Sequence, residues 1–134
     1  MRLNTYLNFN GNCEAAFEFY AQHLGGKIIV KVPYLTGPNM PPGMDGKLMH
    51  ARIEIAGTVL MASDTPAGRY APMGSNFLSL SVDSKEEAER IYAALSTGGE
   101  IRMKMEETFF AHRFAMFTDK FGVNWMVLHE KTER

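Results

Sequence analysis

The chain opens on alternation with a period of two. Over residues 3–9 (LNTYLNF), Leu3, Thr5, Leu7 and Phe9 fall on one face and Asn4, Tyr6 and Asn8 on the other. With its aromatic and β-branched content this pattern predicts a strand. The period then becomes helical. Ala16, Phe17, Tyr20, Ala21 and Leu24 share one stripe, Asn12 stands at the N-cap position, and Gly25-Gly26 stops the run. Residues 27–35 (KIIVKVPYL) predict a second strand, bent or at an edge because of Pro33. A Gly- and Pro-rich loop follows over 36–47. Residues 48–55 alternate again, with Ala51, Ile53 and Ile55 opposite His50, Arg52 and Glu54; Ala56-Gly57 turns the chain into a returning strand over 58–63.

The second half repeats this order. After a loop over 64–75, Leu78, Leu80 and Val82 alternate with Phe77, Ser79 and Ser81. Ser84 and Glu87 form a capping box, and Ala88, Ile91, Tyr92 and Leu95 stripe a helix that ends at Gly98-Gly99. Ile101, Met103 and Met105 mark a strand, and 112–118 with 123–129 a last hairpin around Asp119-Lys120-Phe121-Gly122, with Gly122 at positive φ.

Subtraction tests the repeat. At an offset of 73, Gly26 meets Gly99, Leu7 meets Leu80, Glu14 meets Glu87 and Ile28 meets Ile101; at 65, Gly57 meets Gly122 and Met61 meets Met126. The eight-residue difference is absorbed by the 36–47 loop. The expectation is a single α+β domain over 1–134, made of two tandem βαβββ modules: module one over about 1–64, a linker over about 65–75, and module two over about 76–130. The two modules form a curled mixed sheet around a central cavity, with the helices outside.

Composition narrows the function. The chain has 134 residues, one cysteine and a formal net charge of -1, with 14 basic against 15 acidic side chains. This excludes a disulfide framework and a Cys-rich zinc site, and leaves no basic excess for a nucleic-acid backbone. No apolar run reaches the length of a membrane span and no signal-peptide pattern opens the chain, so the expected location is the cytoplasm. Ten methionines point chiefly to irregular core filling.

The faces turned from the helices carry the candidate chemistry. Asn4, Tyr6, His50, Arg52, Ser63, Phe77, Ser79 and Met126 are expected to line the cavity, with His112 at its mouth. His50 is the polar anchor or base, Arg52 the anion partner, and Phe77 with Met126 the apolar floor. Arg52 is alternatively an ion-pair partner of Glu54, and Arg113 of Glu106. Glu107 and His112 flank an aromatic turn. Cys13 reads as a packed residue at a helix start, Asp119 to Gly122 as a geometric turn, and no catalytic residue is assigned.

The stretches FNGNCEAAFEFYAQHLGG and ETFFAHRFAMFTDKFGVNWM, with SDTPAG between them, resemble the PhnB-like branch of the vicinal-oxygen-chelate superfamily, which contains glyoxalase I, bleomycin-resistance proteins and extradiol dioxygenases. The resemblance implies paired βαβββ modules. It also implies that metal-using members place His or Glu at four inward positions, which fall here on Asn4 (or Thr5), Met61, Phe77 and Met126. None of these suits a hard divalent ion, so no metal or cofactor is expected. The favoured function is metal-independent binding or processing of a small anionic molecule. Two alternatives stand beside it: a metal-dependent lyase or transferase with His50, Glu107 and His112 as displaced ligands, and a non-catalytic protein-interaction module. A homodimer is expected because edge strands need cover.

Overall fold

The computed structural model describes residues 1–131. The first module runs β1 (Tyr6–Phe9), α1 (Cys13–Leu24), β2 (Lys27–Pro33), β3 (Leu48–Ile55) and β4 (Thr58–Asp64). The second runs β5 (Leu78–Ser81), α2 (Lys85–Ser96), β6 (Glu100–Glu106), β7 (Ala111–Thr118) and β8 (Asn124–Glu130). Each module has one four-stranded mixed sheet, ordered β1-β4-β3-β2 and β5-β8-β7-β6. The fold is α+β with two βαβββ modules. They form two compact units, Met1–Ala71 and Pro72–Arg134.

Strand register bears out the internal repeat. In the first unit β1 lies parallel to β4 with Leu7 beside Ala62; in the second β5 lies parallel to β8 with Leu80 beside Val127. Those pairs are related by the offsets 73 and 65 that the sequence yields. Between β3 and β7 the offset is 64, since Arg52 pairs with Met61 and Met116 with Met126. The missing residue lies in the turns: Glu54 pairs with Val59 across four residues, and Thr118 with Asn124 across five.

Each helix covers one face of its own sheet. In the first unit Ala16, Phe17 and Tyr20 of α1 are buried along with Leu7, Phe9, Ala51, Ile53, Leu60 and Ala62 from the strands. Phe9 meets Phe17 edge-on with ring centres 6.1 Å apart. In the second, Ala88, Ile91 and Leu95 are buried, as are Ala115, Phe117, Trp125 and Val127. Tyr92 meets Phe117 edge-on at 5.9 Å. β1 starts at Tyr6, later than the alternation suggests. Among the described residues its one strand neighbour is β4, whose first bond to it runs from Met61 N–H to Thr5 O at 3.0 Å. Upstream of that bond Leu3 has nothing to pack on and is 99% exposed.

The two helix starts differ. Ser84 caps α2 as expected: Glu87 N–H donates to its Oγ at 3.0 Å, and the Glu87 carboxylate accepts from Asp83 N–H at 3.3 Å. Asn12 does not cap α1 with its side chain. Instead Asp64, expected in a loop, is the last residue of β4, and its carboxylate accepts from Cys13 N–H at 2.9 Å. A carboxylate at that position satisfies an orphan donor and suits the positive end of the helix.

Gly26 and Gly99 hold equivalent places for the same reason. A Cβ on Gly26 would lie 2.9 Å from Ile55 Cγ1 and 3.1 Å from Glu54 O; on Gly99 it would lie 2.0 Å from Thr118 O and 2.9 Å from the Asp119 backbone. Each strand starts against the end of its neighbour too closely for any side chain. Gly99→Ala is therefore expected to cost about 3 kcal/mol, at the upper end of overpacking effects. Gly74→Ala, with open space and no positive φ, changes stability by less than about 0.5 kcal/mol. Urea unfolding of the two variants checks the contrast.

Candidate functional site

In the first unit the sheet face opposite α1 is polar. Register places Tyr6 beside Met61, Met61 beside Arg52, and Arg52 beside Val30, so one row crosses all four strands. The neighbouring row holds Asn8 beside Ser63, and His50 beside Val32. Period-two alternation puts these side chains on one face because Leu7, Phe9, Ala51, Ile53 and Ala62 between them are buried toward the helix.

Three of the expected residues meet there. The Tyr6 and His50 rings stack with centroids 5.9 Å apart and an interplanar angle of 26°. Tyr6 Oη lies 3.3 Å from His50 Nδ1, and Arg52 Nε donates to His50 Nε2, also at 3.3 Å. An Nε–H of arginine can only donate, so Nε2 must accept, and the neutral ring carries its proton on Nδ1. That proton points to the tyrosine oxygen, which leaves the phenolic hydrogen free to donate elsewhere. Arg52 is held through Nε, and among the described residues no carboxylate pairs with it. The pairing with Glu54 is therefore not formed. Its terminal nitrogens present the planar fork that matches carboxylates and phosphates.

A buried clamp underlies this face. Asp64 is 1% exposed; besides Cys13 N–H its carboxylate accepts from Leu48 N–H at 2.9 Å. Tyr34 Oη donates to the Asp64 carbonyl at 2.8 Å. One residue thus ties the start of α1, the start of β3 and the chain just beyond β2 to the end of β4. Burial, followed by the Asp64 and Tyr6 charges, raises the Tyr34 pKa, while Arg69 opposes them. Tyr34 and Asp64 escaped sequence reasoning. The parity of Val30, Val32 and Tyr34 was the available signal for the first; no local pattern marks the second.

Of the other expected residues, Ser63 shares this face and the rest sit elsewhere. Asn4 precedes β1 and donates its side-chain amide to Val59 O at 3.1 Å. Ser63 is half-buried beside Asn8. Phe77, Ser79, His112 and Met126 belong to the second unit. Phe77 precedes β5, and Ser79 pairs with Met126. A bulge at His112 brings its ring to 5.2 Å from His129, whose Nδ1 lies 3.0 Å from Val82 O. Glu107 is paired with Lys131 at 2.8 Å, which holds its carboxyl below the usual range. Arg113 reaches Glu89 at 3.3 Å, in place of Glu106. Where the first unit has His50, Arg52 and Ser63, the second has Phe114, Met116 and Leu128. These join Ala111 and Met126 in an apolar cluster. Asn124 is structural, clamping Gly74 O at 2.7 Å and Asn76 O at 3.0 Å. Asp119 accepts from Phe121 N–H, Val123 N–H and Trp125 Nε1, and Gly122 takes φ 92° in the expected turn.

The donor set does not fit a divalent metal at the four positions the resemblance implies. Asn4 turns its amide nitrogen to a carbonyl, Phe77 has no donor, and Met61 and Met126 offer only thioethers. Among the described residues no three His, Cys, Asp or Glu side chains come together as a metal-binding group.

A family model for the Glyoxalase/Bleomycin resistance protein/Dioxygenase superfamily matches residues 2–127. The chain belongs to this superfamily. It is 38% identical to Protein YjdN of Escherichia coli K12, over 95% of this chain and 94% of that one. The crystal structure of protein PA1353 from Pseudomonas aeruginosa matches with a TM-score of 0.89 and 46% identity, over 97% of this chain and 98% of that one. A Bacillus cereus PhnB protein, described as a putative 3-demethylubiquinone-9 3-methyltransferase, shares the fold with a TM-score of 0.85 at 24% identity, over 96% of this chain and 99% of that one. The likeness to that PhnB protein is one of fold. Members of the glyoxalase superfamily bind small molecules. No helix among the described residues is long and apolar enough to cross a membrane.

Cys13 lies beside the clamp, fully buried. Burial, then the Asp64 and Glu14 charges, pushes its thiol from an ordinary value near 9 up to about 12. The native thiol is expected to resist an aromatic disulfide reagent at pH 8 and to react in urea. A raised folded-state pKa favours the fold below the unfolded value, and that contribution is lost as pH rises from about 9 toward about 12. Unfolding curves of Cys13→Ala across that range should fall less steeply with pH than those of the parent.

Proposed function

We propose that the protein binds a small anionic molecule on the open sheet face of its first module, without a metal ion. One observation carries this reading. Arg52 is oriented by His50 through Nε, while its remaining nitrogens have no carboxylate partner among the described residues. A guanidinium held in one orientation but unneutralised is prepared for a carboxylate, phosphonate or phosphate. Tyr6 contributes a hydroxyl hydrogen beside it, and Met61 an adaptable apolar neighbour.

The equivalent face of the second module is apolar and lacks this chemistry, and Phe77, Ser79, His112 and Met126 have no part in this reading. A second copy of the chain is also proposed. It would find open apolar surface on the β6 edge, where Ile101 and Met103 are 51% and 44% exposed.

Isothermal titration with acetate and methylphosphonate tests the anion site. Arg52→Ala should weaken both by roughly tenfold or more, the usual loss for hydrogen bonds to a charged group. Arg52→Lys should retain charge but lose part of the affinity through loss of the fork. Equal affinity in the parent and Arg52→Ala contradicts the assignment.

A further inference from the structure

Beyond β2 the first module carries a groove of about 420 Å³, walled by Tyr34, Leu35, Pro38, Met40, Pro41 and Met49. Its size falls within the range of small-molecule sites. The loop that builds it is tied down. Tyr34 N–H bonds Lys47 O at 3.0 Å across its two ends, turns close at Gly37–Met40 and Met44–Lys47, and Met44 is buried. Within this groove Leu35 and Met49 are left 78% and 43% exposed. Two large apolar side chains kept open, Leu35 on the loop and Met49 on β3, call for an apolar occupant.

The groove adjoins the Arg52 face. His50 pairs with Val32, and the next residue of the same parity, just past the end of β2, is Tyr34, which lines the groove. Tyr34 cannot swing away, because its hydroxyl is fixed to Asp64 O. A register shift between β2 and β3 leaves Met49 unpaired between Leu48 and His50, next to the ring that orients Arg52. Two residues from Arg52 to His50 and two from Val32 to Tyr34 span about 13 Å at the usual rise of a strand.

From this continuity we infer that the ligand is an amphiphilic anion. Its acidic head rests on Arg52, and an unbranched hydrocarbon body passes His50 and Tyr34 into the groove. The inference rests on the reading of Arg52 as the anion partner and adds the class of molecule attached to the anion. Methionine suits such a wall, since its thioether chain repacks around tails of different length.

Titration with straight-chain carboxylates of two to sixteen carbons tests it, each below its aggregation limit. Once the chain spans the distance of about 13 Å to Tyr34, affinity should rise about fourfold per further methylene, the factor for full burial of a CH₂, and level off when the groove is filled. Leu35→Asn and Met49→Asn alter exposed positions without adding charge and should flatten that rise while leaving acetate unchanged. Arg52→Ala should lower every member of the series by a similar factor. Affinity independent of chain length, with Arg52→Ala still weakening acetate, overturns the groove and leaves the anion site standing. A rise that survives in the Leu35→Asn/Met49→Asn double variant also overturns it, because the tail then lies elsewhere. Arg52→Ala binding all members as tightly as the parent removes the anion site, and the inference with it.

Discussion

The candidate site depends on one buried carboxylate. Asp64 holds the first turn of α1, the first residue of β3 and, through its carbonyl, the hydroxyl of Tyr34. Charge-assisted bonds of this kind are worth about 1.5–3 kcal/mol each, and leaving either amide unpaired in the interior would cost a similar amount. The geometric consequence matters more than the energy. Fixing Leu48 fixes the frame of β3, so His50 and Arg52 emerge at set positions on the face turned from the helix. Fixing Tyr34 sets where that face ends and the groove begins.

The two modules show how a duplicated backbone acquires chemistry on one side only. The β3–β4 and β7–β8 registers agree to within one residue in a turn, and the glycines at 26 and 99 answer the same close approach. Yet equivalent positions on the faces turned from the helices carry Arg52 in one sheet and Met116 in the other, His50 in one and Phe114 in the other. Packing against the helices constrains the buried parity in both. The opposite parity was free to diverge, and there the first module gained a polar network while the second gained an apolar cluster. Membership of the glyoxalase superfamily thus accounts for the scaffold, and the function has to be argued from the side chains of one face.

Much of this was legible in the sequence, for a physical reason. Alternation along β3 and the stripe of α1 are imposed by burial on one side, and burial leaves its period in the residues themselves. Tyr6, His50 and Arg52 were found because parity alone sets them on a common face. Asp64, Tyr34 and Asn124 were not found in their real roles. Their partners lie from 16 to 51 residues away, and no local spacing records such bonds. Asn12 misled for the same reason. It satisfies the local rule for a cap, but a carboxylate delivered from β4 supplies a stronger acceptor. The start of β1 was set too early because alternation continues to Leu3 although pairing with β4 does not.

The central claim is that His50 accepts from Arg52 and so aims an unneutralised guanidinium outward. The nitrogen-15 spectrum of the histidine rings measures this most directly. The account predicts that neutral His50 is protonated on Nδ1 with Nε2 bare, and that adding methylphosphonate shifts the Arg52 Nε signal without changing that tautomer. A ring protonated on Nε2 would set two donors against each other at the Arg52 contact and contradict the account.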